Sequence, residues 1–193
     1  LKIGDKVVND VEPKDRDIAM VFQNYALYPH MSVYDNMAFG LKLRKVPKDE
    51  IKRKVEEAAK ILDLEKLLDR KPKALSGGQR QALTLLMATM NPPKLLLLDE
   101  HTAALDPGTA DKVLKLTQEI IEKNHTTCLM VTHNMQQALS MGNRTLMMDD
   151  GKIVLDVEGK ERENMTVTDL LEKFHTKAGK DLDNDRILLS MEK

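Results

Sequence analysis

The stretch that decides the fold is residues 94–100, Lys-Leu-Leu-Leu-Leu-Asp-Glu, in which an unbroken aliphatic run ends in two acids. A short, wholly apolar run is typical of a buried strand in a parallel sheet whose two faces are both covered. In open α/β sheets, ligands bind at the carboxyl ends of the strands, where Asp99 and Glu100 stand. Carboxylates there can hold Mg²⁺ and orient a water molecule. The same pattern also occurs at plain strand-to-loop boundaries, so alone it is a weak indication of chemistry.

Strands and helices alternate on both sides of this run, which indicates an α/β fold with a mostly parallel sheet. Further buried strands are predicted at residues 16–22 and 126–132, and a hairpin around residues 150–151. Between residues 29 and 90, apolar residues recur at helical spacing and no strand pattern occurs. We therefore predict three parts, which are a first piece of the sheet domain at 1–28, an inserted α-helical sub-domain at 29–90 and the rest of the sheet domain at 91–193.

The composition excludes several classes of function. Thirty Lys and Arg stand against 31 Asp and Glu, and a net charge of −1 gives no bulk attraction to nucleic acid. No apolar run is long enough to span a membrane, and the single Cys128 excludes an internal disulfide. Five of the six aromatic residues fall between Phe22 and Phe39. Such clustering fits a contact surface or a small local core equally well.

Four further motifs accompany the two acids. Residues 75–79 are Leu-Ser-Gly-Gly-Gln, and Ser-Gly-Gly at a helix start leaves bare N–H groups and a positive dipole end that suit a phosphate. The alternative is a capped helix after a flexible turn. Gln23 ends the strand predicted at 16–22, where its amide could reach a metal or a water molecule. His133 follows the strand predicted at 126–132, although a lone histidine is more often structural. Residues 104–106, Ala-Leu-Asp, follow the two acids closely.

In this order, the five motifs resemble those of the nucleotide-binding subunit of ATP-binding cassette (ABC) transporters, over essentially the whole chain. The resemblance implies a P-loop NTPase (RecA-like) α/β fold with an inserted helical sub-domain, and ATP and Mg²⁺ as cofactors. It implies catalysis by Glu100 and His133, nucleotide binding by Gln23, Ser76, Gly77, Gly78, Gln79 and Asp106, and Mg²⁺ binding, partly through water, by Asp99 and Gln23.

The same resemblance implies an ATPase that energises an ABC importer of the sugar or amino-acid type. Its partners would be a second ATPase subunit, as a head-to-tail homodimer or heterodimer, and the transmembrane permease subunits. It would lie peripherally on the cytoplasmic face of the cell membrane and bind no nucleic acid. Two alternatives are a truncated, non-catalytic ABC remnant and a soluble ABC ATPase outside transport. The residues expected to contact the permease are Tyr25, Tyr28, Pro29, His30 and Met31.

The resemblance divides at the signature. Residues 3–81 are similar to the ATPases of sugar importers, whereas residues 82–193 are more similar to those of amino-acid-type or uncharacterised importers. A join of two genes at this point is one hypothesis, and a single divergent protein is the other. His101 stands where the family usually has proline, and Ala82 stands where it usually has arginine. We expect the change at His101 to alter only the stiffness of the loop.

The phosphate-binding loop of the family, G-x-x-x-x-G-K-[ST], does not occur in the 193 residues. Only 22 residues precede Gln23, and the chain begins with Leu1 inside a predicted strand. The family has this loop further upstream of the glutamine. We therefore expect a fragment that lacks N-terminal strands and the loop that holds most of the phosphate contacts, and that is inactive on its own.

Overall fold

The computed structural model describes residues 1–23 and 26–178. The chain divides into two compact units, Leu1–Val131 and Thr132–Lys193. Among the described residues, no helix combines the length and the apolar character that crossing a membrane requires.

The first unit is built on a three-stranded parallel sheet. Its strand order is β3-β4-β5, with β4 in the centre. In the register of the sheet, Val21 of β3 pairs with Leu98 of β4, and Leu98 pairs with Met130 of β5. This sheet confirms the α/β class predicted from the sequence. The strands of the unit are the short antiparallel pair β1 (Lys2–Ile3) and β2 (Lys6–Val7), then β3 (Ile18–Val21), β4 (Leu95–Asp99) and β5 (Thr127–Val131).

Helices connect the parallel strands. Ser32 caps the first of them by accepting the N–H of Asp35 at 3.0 Å, and Pro47 precedes the second. Described residues between β3 and β4 form helices and loops, with no strand among them. The division at residues 28 and 90 stays a prediction. The helices of this unit are α1 (Val33–Leu43), α2 (Lys48–Ile61) and α3 (Gly77–Thr89) before β4, and α4 (Pro107–Asn124) before β5.

The two faces of the parallel sheet differ in burial. Val21, Leu96 and Leu98 are at most 1% exposed and join the helices in one core. No residue of β4 is exposed, so the prediction of a buried strand agrees with the structure there. The same prediction for β3 and β5 is wrong on one face, because side chains alternate across a sheet and both strands expose residues on the face opposite the core. The exposed large apolar side chains of the other face, which we call the open face, are Met20, Phe22, Leu129 and Val131.

Cys128 lies on the covered face of β5. It pairs with Leu96 and packs against the core. Burial raises the pKa of its thiol to about 11, so the group is protonated at neutral pH. It is an ordinary apolar side chain in this environment.

The described residues of the second unit form an antiparallel hairpin and three helices. The hairpin turns at residues 150–151, as predicted. Arg162 is 7% exposed, and its guanidinium donates to the carbonyl of Leu139 at 2.8 Å and to that of Met141. This buried cation therefore satisfies the carbonyls at the end of α5. The elements are α5 (Met135–Ser140), β6 (Arg144–Asp149), β7 (Lys152–Glu158), α6 (Gly159–Glu163) and α7 (Val167–Ala178).

Candidate functional site

Three of the predicted site residues leave the sheet at one edge. Asp99 is the last residue of β4 and is half-buried, and Glu100 follows it. Because Val21 pairs with Leu98, Gln23 and Glu100 each stand two residues beyond a paired position. Gln23 is exposed. The parallel register thus brings the ends of β3 and β4 side by side, and Gln23 and the two acids lie at these ends.

The backbone of Glu100 has an unusual conformation. Its φ is 45°, in the left-handed region that residues with a Cβ seldom adopt and that costs of order 1–3 kcal/mol. Two hydrogen bonds hold it there, since its N–H donates to the carbonyl of Val131 at 3.0 Å and its carbonyl accepts the N–H of Ala103 at 3.0 Å. A strained residue fixed at a strand end fits a functional role better than a plain chain reversal.

His101, the next residue, is anchored inside the protein. Its side chain is 3% exposed, and Nε2 lies 3.2 Å from the hydroxyl of Thr117 in α4. That hydroxyl already donates to the carbonyl of Val113 at 2.7 Å, so it accepts from a neutral imidazole protonated on Nε2. Burial lowers the pKa of His101 to about 4. The expectation that His101 changes only loop stiffness missed this contact, because the sequence does not show which side chain meets it.

The signature residues form the start of α3. Ser76 is the N-cap, and its hydroxyl accepts the N–H of Gln79 at 3.2 Å while the Gln79 side chain accepts the N–H of Ser76 at 2.9 Å. In this capping box, the side-chain oxygens of Ser76 and Gln79, both predicted to bind the nucleotide, accept hydrogen bonds that stabilise the helix start. Within the described part of the chain, the N–H groups of Gly77 and Gly78 have no acceptor. They are the groups of this helix start that remain available to an anion.

Asp106 starts a second helix. It is the N-cap of α4, and its carboxylate accepts the N–H of Thr109 at 3.0 Å. A hydrogen bond from the Thr109 side chain holds the pKa of this carboxyl below its usual range. The side chain of Asp106 is exposed. It is therefore ionised at neutral pH and points from the helix start toward solvent.

The loop before α1 is held by a residue that no sequence motif marks. Asn36 is fully buried and accepts the N–H of Tyr28 at 2.8 Å. It also donates to the carbonyls of Tyr28 at 3.1 Å and Ser32 at 2.8 Å. The Tyr28 ring packs against Phe39 with centroids 4.7 Å apart, yet Tyr28 is 38% exposed. Tyr28 thus has both a packed and an accessible side.

The other residues of this loop lie at the surface. Pro29 and His30 are exposed and Met31 is half-buried, and the carbonyl of His30 accepts from Lys71 at 2.6 Å. Tyr25 lies outside the described residues. Residues 28–31 are thus an exposed segment held at Tyr28 and His30 by hydrogen bonds.

His133 belongs to the second unit. It is exposed and lies in the turn between β5 and α5. One residue, Thr132, lies between it and the end of β5. The neighbouring Thr132 and Asn134 shape this turn, since the Asn134 N–H donates to the Thr132 hydroxyl at 3.0 Å.

The donor set suits magnesium better than a transition metal. No three His, Cys, Asp or Glu side chains among residues 1–23 and 26–178 converge on a point that could hold a metal ion. Mg²⁺ keeps several water ligands and takes one or two protein oxygens. Asp99 and the Gln23 amide oxygen supply such oxygens at one sheet edge, so the residues fit a hydrated Mg²⁺ ion.

Comparison with known proteins identifies the family. The sequence profile described as ABC transporter matches residues 2–103, which is just over half of the 193 residues. The chain belongs to the ABC transporter family. The matched residues include the signature, the two acids at the end of β4 and Gln23, so the resemblance stated from the motifs is confirmed.

Several curated relatives are similar to the chain. The oligosaccharides import ATP-binding protein MsmX of Bacillus subtilis is 59% identical over 154 residues, 78% of this chain and 41% of the relative. The sn-glycerol-3-phosphate import ATP-binding protein UgpC of Bordetella avium is 54% identical over 153 residues, 77% of this chain and 41% of the relative. An uncharacterised ABC transporter ATP-binding protein of Bacillus subtilis, YurJ, is 50% identical over 153 residues, 79% of this chain and 42% of the relative.

Two facts follow from the lengths. The chain spans about two fifths of these relatives, 41% in the first. A match over 154 residues also extends well beyond the 81 residues that end in the signature region. The similarity to named importer ATPases is therefore not confined to residues 3–81.

Proposed function

We propose that this chain is part of the ATP-hydrolysing subunit that energises an ABC importer of the sugar or amino-acid type. The observation that carries the proposal is the common edge of β3 and β4, where Gln23, Asp99 and Glu100 leave the sheet together. Relatives named as import ATP-binding proteins support it. The sugar type has the stronger support, because both named substrates are sugars or a sugar-alcohol phosphate.

Within that function, each residue at the edge has a distinct role. Glu100 accepts the proton of the attacking water, since a carboxylate held by its backbone can orient that molecule. Asp99 and Gln23 hold Mg²⁺, partly through water, and the ion supplies the charge neutralisation that phosphoryl transfer needs. His133 donates a hydrogen bond to the γ-phosphate. Positioning and charge, rather than covalent catalysis, account for the reaction.

The start of α3 serves a nucleotide held by a second ATPase subunit. The Ser76 hydroxyl and the N–H groups of Gly77 and Gly78 donate to its γ-phosphate, with the positive end of the helix behind them. Gln79 fixes the N–H of Ser76 and so keeps the cap in shape. Asp106 acts across the same interface from the start of α4. Two subunits in head-to-tail arrangement therefore complete each other's sites.

The loop from Tyr25 to Met31 receives the permease, which places the subunit on the cytoplasmic face of the membrane. The accessible side of the Tyr28 ring, fixed through Asn36, supports this role, because rigid aromatic residues often anchor interfaces. Co-purification of permease subunits with the Tyr28→Ala variant tests it. Undiminished co-purification would exclude Tyr28 as an anchor.

The decisive experiment is Glu100→Gln in the chain extended at its N-terminus with the phosphate-loop segment of MsmX. Loss of a general base lowers the rate by about 10²–10⁴-fold. We expect ATP turnover to fall by at least about 100-fold while ATP binding persists, because the amide keeps the shape of the carboxylate.

The matched control is Glu119→Gln on the exposed surface of α4, which removes one charge away from the sheet edge and should leave turnover unchanged. Turnover is measured by phosphate release and binding by calorimetry on the same preparations. Hydrolysis at the normal rate by Glu100→Gln would overturn the assignment of Glu100. An unsubstituted protein that binds no ATP would overturn the proposed function.

A further inference from the structure

At Gly78 there is no room for a side chain, whereas its backbone conformation is one that any residue can adopt. It lies in the first turn of α3, and its φ is outside the left-handed region. A Cβ placed on it would overlap the Cγ2 methyl of Thr109 and lie 3.6 Å from the Thr109 Cβ. The start of α3 therefore touches the start of α4 at this position, with a methyl group seated where a side chain would otherwise be.

Thr109 has a second contact on its other side. Its N–H donates to the carboxylate of Asp106 at 3.0 Å, and its side chain also hydrogen-bonds that carboxylate and holds its pKa down. Threonine is stiff about χ1. The methyl cannot turn away from Gly78 without moving the hydroxyl from Asp106, so the two contacts depend on each other.

We propose that Thr109 is a positioning residue that joins the start of α3 to Asp106, through its methyl group against Gly78 and its hydroxyl on the Asp106 carboxylate. The inference rests on the proposed function, in which both helix starts face a nucleotide and a second subunit. Ser76, Gly78 and Asp106 then move as one rigid group. The signature and the following helix keep a fixed spacing when the subunits close.

An alternative explanation of Gly78 is that a side chain would keep a phosphate away from the helix start. The two explanations predict different behaviour of a second substitution. If the Thr109 methyl is what excludes a side chain at position 78, removing that methyl restores the stability and activity of the Gly78→Ala variant. If only the phosphate excludes it, removing the methyl changes nothing.

The first test is a thermal melting cycle on residues 1–193. We expect Gly78→Ala to lower the melting temperature by about 5 °C, since overpacking destabilises. Thr109→Ser deletes the methyl and keeps the hydroxyl, so Gly78→Ala with Thr109→Ser should melt at least as high as Thr109→Ser alone. The matched control is Gly40→Ala in α1, where nothing lies within 4 Å of an added Cβ. It should raise the melting temperature by about 1–3 °C.

The second test follows the Asp106 carboxyl by NMR. Thr109→Val keeps a methyl against Gly78 and removes the hydroxyl, so it should raise the pKa of Asp106 toward the usual value. Thr109→Ser should leave that pKa low. If the pKa of Asp106 is the same in the unsubstituted protein, Thr109→Val and Thr109→Ser, the proposed contact between the Thr109 hydroxyl and Asp106 is overturned.

The third test measures ATPase kinetics in the N-terminally extended chain. We expect Gly78→Ala to lower kcat/KM at least about tenfold, and Thr109→Ser in the same protein to return it to within about threefold. Rescue of melting without rescue of kcat/KM would overturn the positioning role. Absence of rescue in both would overturn the contact. If the unsubstituted protein shows no ATPase activity, the proposed function fails and the role of Thr109 with it, while the melting cycle still decides the contact.

Discussion

The two faces of the parallel sheet in the first unit are made of the same kind of residue but have opposite environments. Leu98 of β4 is 1% exposed, whereas Leu129 of the neighbouring strand is 51% exposed. Both are leucines in paired strands of one sheet. An apolar sequence therefore does not decide burial, and the stabilising contribution of each leucine depends on what packs against its face.

The largest expected difference is between the stability costs of replacing these two leucines by alanine. Leu98→Ala should cost about 3 kcal/mol of unfolding free energy, within the range of about 2–5 kcal/mol for a buried leucine. Leu129→Ala should cost less than about 0.5 kcal/mol, because its side chain is largely in water. Urea denaturation followed by circular dichroism measures both. Similar costs for the two variants would show that the open face is covered in solution.

The second prediction concerns how the free energy of unfolding depends on pH through the buried His101. The pKa of His101 is about 4 in the folded chain, below its usual value of about 6.5. Between pH 6.5 and 4 the unfolded chain binds a proton that the folded chain does not, so stability falls as the pH falls through this window. The slope reaches about 1.4 kcal/mol per pH unit, which accumulates to about 3 kcal/mol.

His101→Gln is the control, since glutamine does not titrate. Only the difference between the two proteins is assigned to His101, because carboxyls with lowered pKa values, such as Asp35 and Asp169, also reduce stability in acid. Denaturation curves at half-unit steps of pH give the difference. A difference that does not depend on pH would contradict the buried, neutral imidazole.

The smallest effect on stability concerns the open face itself. Leu129→Thr with Val131→Thr should change the unfolding free energy by less than about 0.5 kcal/mol. Both side chains are about half exposed and lie on β5. The double variant should nevertheless bind less of the dye ANS, which reports accessible apolar surface. Unchanged dye binding would place the apolar surface elsewhere.

The sequence predicted the elements well for a physical reason. Helical spacing of apolar residues predicts the helices before β4, and the Ser-Gly-Gly sequence predicts where α3 begins. The four leucines fix β4, and parallel pairing then places Gln23 and Glu100 at one edge. These features depend on neighbours in the chain or on a register that alternating strands and helices imply.

The sequence did not predict features that depend on distant contacts. His101 meets Thr117 sixteen residues later, and Asn36 holds Tyr28 across eight residues. Neither partner is marked by a motif. The prediction that β5 is buried was wrong for a related reason. An apolar sequence allows both faces of a strand to be buried, but it does not show whether another element covers each face. The roles of the site residues stay predictions.

Cys128 is a built-in chemical probe of β5. It is the single cysteine of the chain, seated on the covered face with a pKa of about 11, and thiolate is the reactive form. The half-buried thiol therefore reacts slowly with thiol reagents at neutral pH, and separation of β5 from the core would speed the reaction. Alkylation rates would record the opening of this one strand in the unaltered protein, without any label placed beforehand.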